Sequence, residues 1–352
     1  MYMQIVRRLD EDGWKAFVDH HPRGNIFHTP EMHQVFAKTR KHRPEVWAAL
    51  NDRAEIAALM TPVQVTLMNS VLRRLTTRSV VYGGALCHDA PEGRAALRQL
   101  LEAYAEHAQR ESLFTELRNL RDVSELQPIL TGAGYAYEEH LNYLIDLNRP
   151  LAAVLQSIGP RTRKKIRKGL RDGRVRVREV SDRADLAHWH TTLQKTYESA
   201  HVPLADPSLF EAAFEVLYPK GMAVFLLAEI AGIAVACSVE LPYKDTIYGW
   251  YGGCDRAYSE CLPNELLIWH ILEWGASHGY RVYDFGGAGK PGETYGVRDF
   301  KAKFGGELVC YGRNICKHTP GLLRLSQWGY SVYRKLVWPP ARPTVRTQPQ
   351  GN

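Results

Sequence analysis

The chain has 352 residues, of which 45% are hydrophobic and 24% are charged. This balance is typical of folded globular proteins and excludes a largely disordered chain, and the length predicts two domains of ordinary size. The formal net charge of +7 is modest and admits a polyanionic partner such as nucleic acid, a phosphate-bearing substrate or an anionic membrane surface.

The first half predicts strands around one long helix. The N-terminal MYMQIVRRLDEDGW has no apolar core, so we expect no signal peptide. VWAALND and EIAALMTPVQVTLM predict paired strands, and SVVYGGAL a strand that ends in a glycine turn. GRAALRQLLEAYAEHAQRE has helical periodicity. LFTELRNL and HLNYLIDL predict strands on either side of a short helix, VSELQPILTGAGY.

The second half begins with a helical pair and continues with ADLAHWHTTLQKTYESA and PSLFEAAFEVLYP as helices. The most apolar stretch, Met222–Leu241, is almost long enough for a membrane span. Glu229 near its middle and the turn residues Ala231 and Gly232 favour a β-hairpin instead. PNELLIWHILEWGASHGY predicts a helix that ends at Gly279.

YRVYDFGG and ELVCYGR predict two further strands, and LLRLSQWGYSVYRKLVW an amphipathic helix. Residues 338–352 are proline-rich and polar, so we expect them to be disordered. The six cysteines contain no C-x-x-C pair, which favours a reducing, intracellular compartment. Both halves run strands, helix, strand, and this repeated plan predicts an α/β (α+β) fold with mixed central sheets.

The segment Gly159–Arg178 is densely basic, and only Asp172 opposes its cations. Like charges at helical spacing repel, and a phosphate or a nucleic-acid backbone would relieve that repulsion. The alternative is a solvated basic surface beside a domain linker. The spacing places Arg163, Arg167 and Arg171 along one helical face and points Ile166 and Leu170 inward.

The run YDFGGAGKPG contains G-x-G-x-x-G at Gly287, Gly289 and Gly292, the spacing of a dinucleotide-binding turn. That turn should start a helix and a further strand, but no apolar periodicity follows and few residues remain. A P-loop is excluded because proline follows Lys290. In FKAKFGG, Lys301 could stabilise an oxyanion, or the lysines could form a solvated surface turn.

Other catalytic signals are missing. In acyl-CoA-dependent N-acetyltransferases, a glycine-rich loop after an arginine holds the coenzyme pyrophosphate. The stretch CDRAYSECLPNELLIWH has no glycine after Arg256, so it lacks the sequence of that loop. The histidines have no metal-ligand spacing, and we predict no metal site. No nucleophile triad is evident.

Together these stretches resemble the FemABX family, the aminoacyl-tRNA-dependent peptidyltransferases of peptidoglycan side-chain synthesis. YDFGG, the glycine loop and FKAKFG are similar to the family's aromatic-D-F-G strand and F-K-x-x-F-G motif. The basic segment is similar to the start of its second domain, GNIFHTPEMHQVF to its N-terminal signature, and SVVYGGAL to its glycine turn. The coiled-coil arm that some members insert has no room here.

The resemblance implies two tandem GNAT-like (acyl-CoA N-acyltransferase-like) domains, 1–147 and 148–317, with a helix at 318–337 that packs back on the first. It implies that an acceptor amine attacks an amino acid esterified to tRNA, a reaction that needs little acid–base help. Lys301 would stabilise the developing charge or position the ester, and Phe300 would pack beside the tRNA terminus. Arg163, Lys164 and Arg167 would hold the phosphates of the acceptor, and Lys38 would belong to the acceptor site. The remaining implied substrate-binding residues are Tyr251 and Asp284.

Three functions therefore stay open. The first is aminoacyl transfer from charged tRNA, with no other cofactor, to a phosphate-bearing amine such as a peptidoglycan precursor or a biosynthetic-pathway amine. The second is acyl-CoA-dependent N-acyl transfer in a polysaccharide or small-molecule pathway. The third is a basic module that binds nucleic acid or an anionic membrane without catalysis. Its C-terminal helix, with Trp328, Tyr330, Tyr333 and Trp338, could then lie on the membrane surface. We expect a cytoplasmic monomer without a transmembrane segment, with the inner membrane face as an alternative location.

Overall fold

The computed structural model of the chain describes residues 3–68 and 73–337, except the side chains of residues 330–337. The predicted disordered tail, 338–352, lies outside the described residues, and so do the side chains of Tyr330, Tyr333 and Trp338.

Helices and strands are mixed along the described chain. The helices are α1 (Glu11–His20), α2 (Pro30–Lys38), α3 (Arg73–Thr76), α4 (Pro91–Glu111), α5 (Gln127–Gly132), α6 (Leu151–Ser157), α7 (Pro160–Asp172), α8 (Arg183–Ser199), α9 (Pro207–Val216), α10 (Pro263–Ser277), α11 (Gly296–Ala302) and α12 (Pro320–Val337). The strands are β1 (Gln4–Val6), β2 (His42–Pro44), β3 (Trp47–Leu50), β4 (Ile56–Met60), β5 (Val63–Thr66), β6 (Thr77–Gly83), β7 (Leu86–Cys87), β8 (Phe114–Asn119), β9 (Ala136–Glu138), β10 (Leu141–Asp146), β11 (Val175–Glu179), β12 (Val224–Ile230), β13 (Ile233–Tyr243), β14 (Thr246–Cys254), β15 (Val282–Gly287), β16 (Glu307–Cys310) and β17 (Arg313–Lys317).

Two mixed sheets form the centre of the molecule. A six-stranded sheet has the order β2-β5-β6-β8-β17-β9, in which β6 and β8 are parallel. A seven-stranded sheet has the order β11-β12-β13-β14-β15-β10-β16, in which β14 and β15 are parallel. Strands β1, β3, β4 and β7 form a further four-stranded sheet. The predicted fold class, with mixed central sheets, is confirmed.

Helix α4 covers the four-stranded sheet. Its buried residues Leu97, Leu100, Leu101 and Tyr104 recur every three or four positions, so one stripe of the helix faces the strands. They share a core with Trp47 on β3. The same periodicity predicted this helix from the sequence.

Strands β12 and β13 form the hairpin predicted in the apolar stretch Met222–Leu241. The turn residues Ala231 and Gly232 have φ angles of 49° and 80°, the left-handed conformation that two-residue hairpin turns require. No helix within the described residues is long and apolar enough to cross a membrane.

The two halves exchange strands. β10 pairs with β15 and β16 in the seven-stranded sheet, while β17 pairs with β8 and β9 in the six-stranded sheet. The chain crosses between the sheets at His140 and Gly312, where the Gly312 N–H donates to the His140 carbonyl at 3.3 Å. The predicted limits, 1–147 and 148–317, stay a prediction; by sheet membership, β10 belongs to the second half and β17 to the first.

A shared hydrophobic core joins the halves. Phe27, Met32 and Phe36 from the first half lie in one cluster with Trp189 and Phe210 from the second. An apolar interface of this kind holds two domains in a single arrangement. The space between the halves therefore has fixed walls.

Helix α12 contacts α3 in the first half. Ser326 Oγ donates to the Leu75 carbonyl at 2.6 Å, and Leu323 is buried. Trp328 is 68% exposed, so this aromatic side chain does not contribute to the packing.

Candidate active site

Lys301 is a buried cation at the end of strand β15. It lies on α11, and its Nζ donates to the carbonyl oxygens of Phe285 at 2.5 Å and Gly287 at 2.8 Å. Both carbonyls lie beyond Asp284, the last residue of β15 that pairs with β14. Nζ also lies 5.5 Å from the centre of the Phe285 ring, within range of a cation–π interaction. Lys301 therefore satisfies backbone groups at the point where the two parallel strands separate.

The charge of Lys301 is set by its burial. Desolvation lowers the pKa of the amine to about 8, against the opposing effect of the carboxylates of Asp284 and Glu240. The ammonium form therefore predominates at neutral pH. An ammonium group has three N–H donors, and the two carbonyls occupy two of them. A donor of this kind, fixed in a water-poor site, can stabilise negative charge that develops on a reacting carbonyl oxygen.

Two carboxylates are buried near this ammonium, Glu240 on β13 and Asp284 on β15. Burial raises the pKa of Glu240 to about 7 and that of Asp284 to about 6. Glu240 Oε2 accepts a hydrogen bond from the Tyr283 hydroxyl at 3.2 Å. Asp284 Oδ1 accepts from the Gly286 N–H at 2.8 Å and from Asn142 Nδ2 at 3.2 Å. The aspartate of YDFGG thus fixes the end of β15 against β10.

The glycine run after YDFGG is a loop. Gly286, Gly289 and Gly292 have φ angles of 71°, 77° and 75°, and the next helix begins only at Gly296. Arg298 Nε donates to the carbonyl of Ala288 at 2.8 Å, which holds the loop against α11. A dinucleotide turn would lead directly from strand to helix. The geometry agrees with the interpretation that the G-x-G-x-x-G spacing is incidental.

Each fixed position of the F-K-x-x-F-G motif has a structural explanation. Phe304 is fully buried, with its ring centre 5.3 Å from that of Phe300. Gly305 has a φ of 75°, and a Cβ added there would lie 2.4 Å from the Ser157 carbonyl oxygen. Lys303, by contrast, is exposed and places its Nζ 5.4 Å from the Phe300 ring centre. The two lysines of the motif are therefore not equivalent, and Lys301 is the buried one.

A cavity of about 230 Å³ lies between the halves, beside the two chain crossings. Its wall includes the rings of Phe27, Tyr82, Trp250 and Tyr251. Gly287, whose carbonyl accepts a hydrogen bond from Lys301, also lines it. The cavity therefore lies beside the buried ammonium.

The basic helix α7 buries Ile166, as predicted, but not Leu170. Thr162 and Ile166 are buried, and Gly169 packs against Leu266. Leu170 is 54% exposed, so the prediction that it points inward is wrong. Close approach of α10 is possible at position 169 because glycine has no side chain, and that contact sets the orientation of the helix.

The cations of α7 differ in their surroundings. Arg163 Nη1 donates to the backbone carbonyls of Gln156 at 2.6 Å and Ile158 at 3.3 Å, so its guanidinium anchors the helix start. Lys164 and Arg167 are exposed. Neither forms an ion pair within the described part of the chain. The same holds for Arg161, Lys165, Lys168 and Arg171 of α7, and for Arg176 on β11.

Lys38 lies at the end of α2, where its Nζ is 3.1 Å from Glu215 Oε2 on α9. It is not among the residues that line the cavity. The structure thus brings Lys301, Asp284 and Tyr251 to the cavity or next to it, and it leaves Lys38 and the cations of α7 outside the cavity wall. Their roles stay predictions.

Several residues at the site were missed by sequence reasoning. Glu240 is a lone acid within an apolar strand, and Glu116 and Arg118 are the alternating charges of LFTELRNL. Arg313 and His140 flank the two chain crossings. A charge in an otherwise apolar strand was the available signal. No cluster of three or more potential metal ligands occurs among the residues that the structure describes.

Comparison with known proteins identifies the fold. Residues 160–302 match the family described as acetyltransferase (GNAT) domain. Comparison with curated protein sequences finds no match. The crystal structure of FemX superposes with a TM-score of 0.72 at 17% identity, over 92% of this chain and 99% of FemX.

Two further solved structures have TM-scores of 0.57. One is the C-terminal domain of a putative lysylphosphatidylglycerol synthetase from Agrobacterium fabrum, at 12% identity over 91% of this chain and 95% of that domain. The other is a tandem GNAT protein from the clavulanic acid biosynthesis pathway, at 9% identity over 91% of this chain and 100% of that protein. The chain therefore has a tandem GNAT fold and is similar in structure to FemX.

Proposed function

We propose that the protein is an N-acyltransferase that moves an aminoacyl group from aminoacyl-tRNA to an amine. The observation that carries this proposal is the buried Lys301 ammonium beside the cavity between the GNAT-like halves. In the reaction a C–N bond forms and the C–O ester bond breaks, and the proton lost by the amine passes to the ribose oxygen of the tRNA. Negative charge grows on the ester carbonyl oxygen as the amine attacks, and Lys301 stabilises it.

The exposed cations of α7 support tRNA as the donor. The Gly159 N–H, at the start of α7, donates to the carbonyl of Lys303 at 3.0 Å, so the helix begins beside the motif that carries Lys301. Unpaired lysine and arginine side chains on one helix repel each other, and a phosphate backbone relieves that repulsion.

The start of α10 disfavours acyl-CoA as the donor. In an N-terminal phosphate site, backbone N–H groups and the helix dipole bind the anion. Here the first residue of α10 is Pro263, which has no N–H, and Glu265 lies in the first turn. A pyrophosphate at this position would meet a carboxylate. The match to an acetyltransferase (GNAT) domain still makes acyl-CoA the second candidate donor.

The resemblance to the FemABX family suggests the acceptor, which would be an amine on a peptidoglycan precursor or in a biosynthetic pathway. One structurally similar protein comes from the clavulanic acid biosynthesis pathway, so the acceptor is not fixed by the fold. The donor is therefore the sharper question to test.

The test compares donors directly. The purified protein is incubated with candidate amines and either total tRNA charged with labelled amino acids or labelled acetyl-CoA. We expect label to reach the amine from charged tRNA and expect RNase treatment to abolish the transfer. RNase-insensitive transfer from acetyl-CoA would instead establish the second candidate and refute the first.

The role of Lys301 is tested by a matched pair within one motif. Lys301→Met should lower the transfer rate by about a hundredfold or more, since one oxyanion donor is typically worth that much. Lys303→Met removes the same charge from an exposed position and should change the rate little. Lys301→Arg and circular dichroism separate loss of the donor from loss of the fold. Equal rates for the two methionine variants would remove Lys301 from the mechanism.

A further inference from the structure

The cavity between the halves contains two arginines that the proposed reaction does not use. Arg118 on β8 and Arg313 on β17 are direct partners in antiparallel register, and both line the cavity. Like charges opposite each other across a strand pair repel. The arrangement therefore requires compensating negative charge.

Glu116 supplies one compensating charge. Its Oε1 accepts from Arg313 Nη1 at 2.5 Å, and its Oε2 accepts from Arg118 Nη2 at 2.9 Å. Burial opposes ionisation of this carboxyl, but the guanidinium groups of Arg118 and Arg313 hold the pKa of Glu116 below its ordinary value. Glu116 is therefore ionised at neutral pH.

Within the described part of the chain, no second negative charge faces the arginines. His140 Nε2 accepts from Arg313 Nη2 at 2.8 Å. Burial and the guanidinium groups of Arg313 and Arg118 lower the pKa of His140 to about 4, so this ring is neutral at pH 7. None of the described residues that line the cavity is acidic. The carboxylate of Asp284, nearby, is balanced by the positive charges of Lys301 and Arg121. Two cations and one anion leave a single net positive charge facing the cavity.

Both guanidinium groups keep capacity for a ligand. Arg118 Nη1 and Arg313 Nε have no hydrogen-bond partner among residues 3–68 and 73–337. The two side chains are 29% and 28% exposed. The guanidinium of Arg118 lies 5.2 Å from the centre of the Tyr82 ring, which fixes its orientation. Fixed guanidinium groups suit the planar geometry of a carboxylate.

We infer that the cavity binds the carboxylate of a small organic substrate through Arg118 and Arg313. The rings of Phe27, Trp250 and Tyr251 line the same cavity and would contact the carbon skeleton. The wall residue Gly287 is hydrogen-bonded to Lys301, so the bound group lies beside the reaction centre. The part this group plays in turnover rests on the proposed function, where the carboxylate belongs either to the transferred aminoacyl group or to the acceptor amine.

Binding is tested first without any transfer. Isothermal titration of the full chain compares propionate and butyrate with their uncharged isosteres propionamide and butyramide, and with inorganic phosphate. We expect a carboxylate to bind at least about tenfold more tightly than its amide, as a charged hydrogen-bond pair provides. Equal affinity for carboxylate and amide, no binding of any acid, or tighter binding of phosphate would overturn the inference.

Variants that change the net charge of the cavity test whether the carboxylate binds there. Arg118→Gln removes the net charge and should weaken carboxylate binding at least about tenfold, whereas Glu116→Gln raises the charge and should strengthen it. Arg121→Gln is the matched control, because Arg121 lies three residues beyond Arg118 and does not line the cavity. Opposite effects of the first two variants cannot arise from general damage to the fold. Identical affinities across the series would refute the site.

The two proposals fail separately. Carboxylate binding without transfer from charged tRNA would leave the cavity assignment standing and refute the proposed donor. Transfer from charged tRNA together with equal binding of acids and amides would support the proposed donor and refute the carboxylate site. Where both proposals hold, the transfer rate from tRNA charged with aspartate or glutamate is compared with the rate from tRNA charged with other amino acids. A preference for aspartate or glutamate assigns the carboxylate to the donor, and no preference assigns it to the acceptor.

Discussion

Replacing Glu240 by glutamine should stabilise the protein at pH 8 and change its stability little at pH 5. Burial raises the pKa of this carboxyl from 4.5 to about 7. Below pH 4.5 the group is protonated in the folded and unfolded chain, so it adds no penalty. Above pH 7 it is ionised in both, and the folded state bears the full cost of a buried charge.

That rise in pKa corresponds to about 3 kcal/mol at roughly 1.4 kcal/mol for each tenfold change in the equilibrium constant. The attraction between Glu240 and Lys301 is already contained in it. Glutamine keeps an oxygen that can accept from the Tyr283 hydroxyl, so the side-chain hydrogen bond survives. The difference in unfolding free energy between variant and wild type should therefore grow from below about 1 kcal/mol at pH 5 to about 3 kcal/mol at pH 8.

Urea denaturation followed by tryptophan fluorescence at pH 5, 6.5 and 8 measures this difference. Glu229→Gln is the control, because Glu229 lies 2.8 Å from Arg178 and its loss should lower stability. The reasoning is refuted if the Glu240→Gln difference does not change with pH, or if the variant is less stable than the wild type at pH 8.

Three further outcomes are expected. Ile166→Ala should lower the unfolding free energy by about 2–5 kcal/mol, whereas Leu170→Ala should change it by about 0.5 kcal/mol at most. In thermal denaturation, Gly305→Ala should destabilise more than Gly173→Ala, since both have positive φ but only Gly305 would place its Cβ against backbone. Arg167→Glu should weaken tRNA binding in a filter assay and reduce its dependence on salt concentration; an unchanged salt slope would place the tRNA elsewhere.

The helices and strands with a clear local pattern could be predicted from the sequence. Helix α4 and the β12–β13 hairpin follow from patterns confined to their own residues, an apolar stripe in one case and an Ala-Gly turn in the other. Leu170 was misplaced because helical spacing allows either position 169 or 170 to face inward. The choice is decided by α10, which packs its Leu266 against Gly169.

The site was only partly predictable. Lys301 and Asp284 lie in one compact motif, and a resemblance could point to them. The arginine cavity depends on β8 and β17, which are nearly 200 residues apart and meet only because strands are exchanged. Local patterning contains no information about such a contact, so neither Arg313 nor its register with Arg118 could be inferred.

The strand exchange also constrains how the chain can fold during synthesis. Strand β17, which lies between β8 and β9, is among the last described elements to leave the ribosome. Until it emerges, no strand pairs with β8 and β9 between them. Strand β10 likewise cannot pair with β15 until that strand has been synthesised. The N-terminal half therefore cannot complete its sheet as an independent unit, unlike domains that fold one after another as they are made. The native state requires many long-range contacts to form together, which favours slow and strongly cooperative folding.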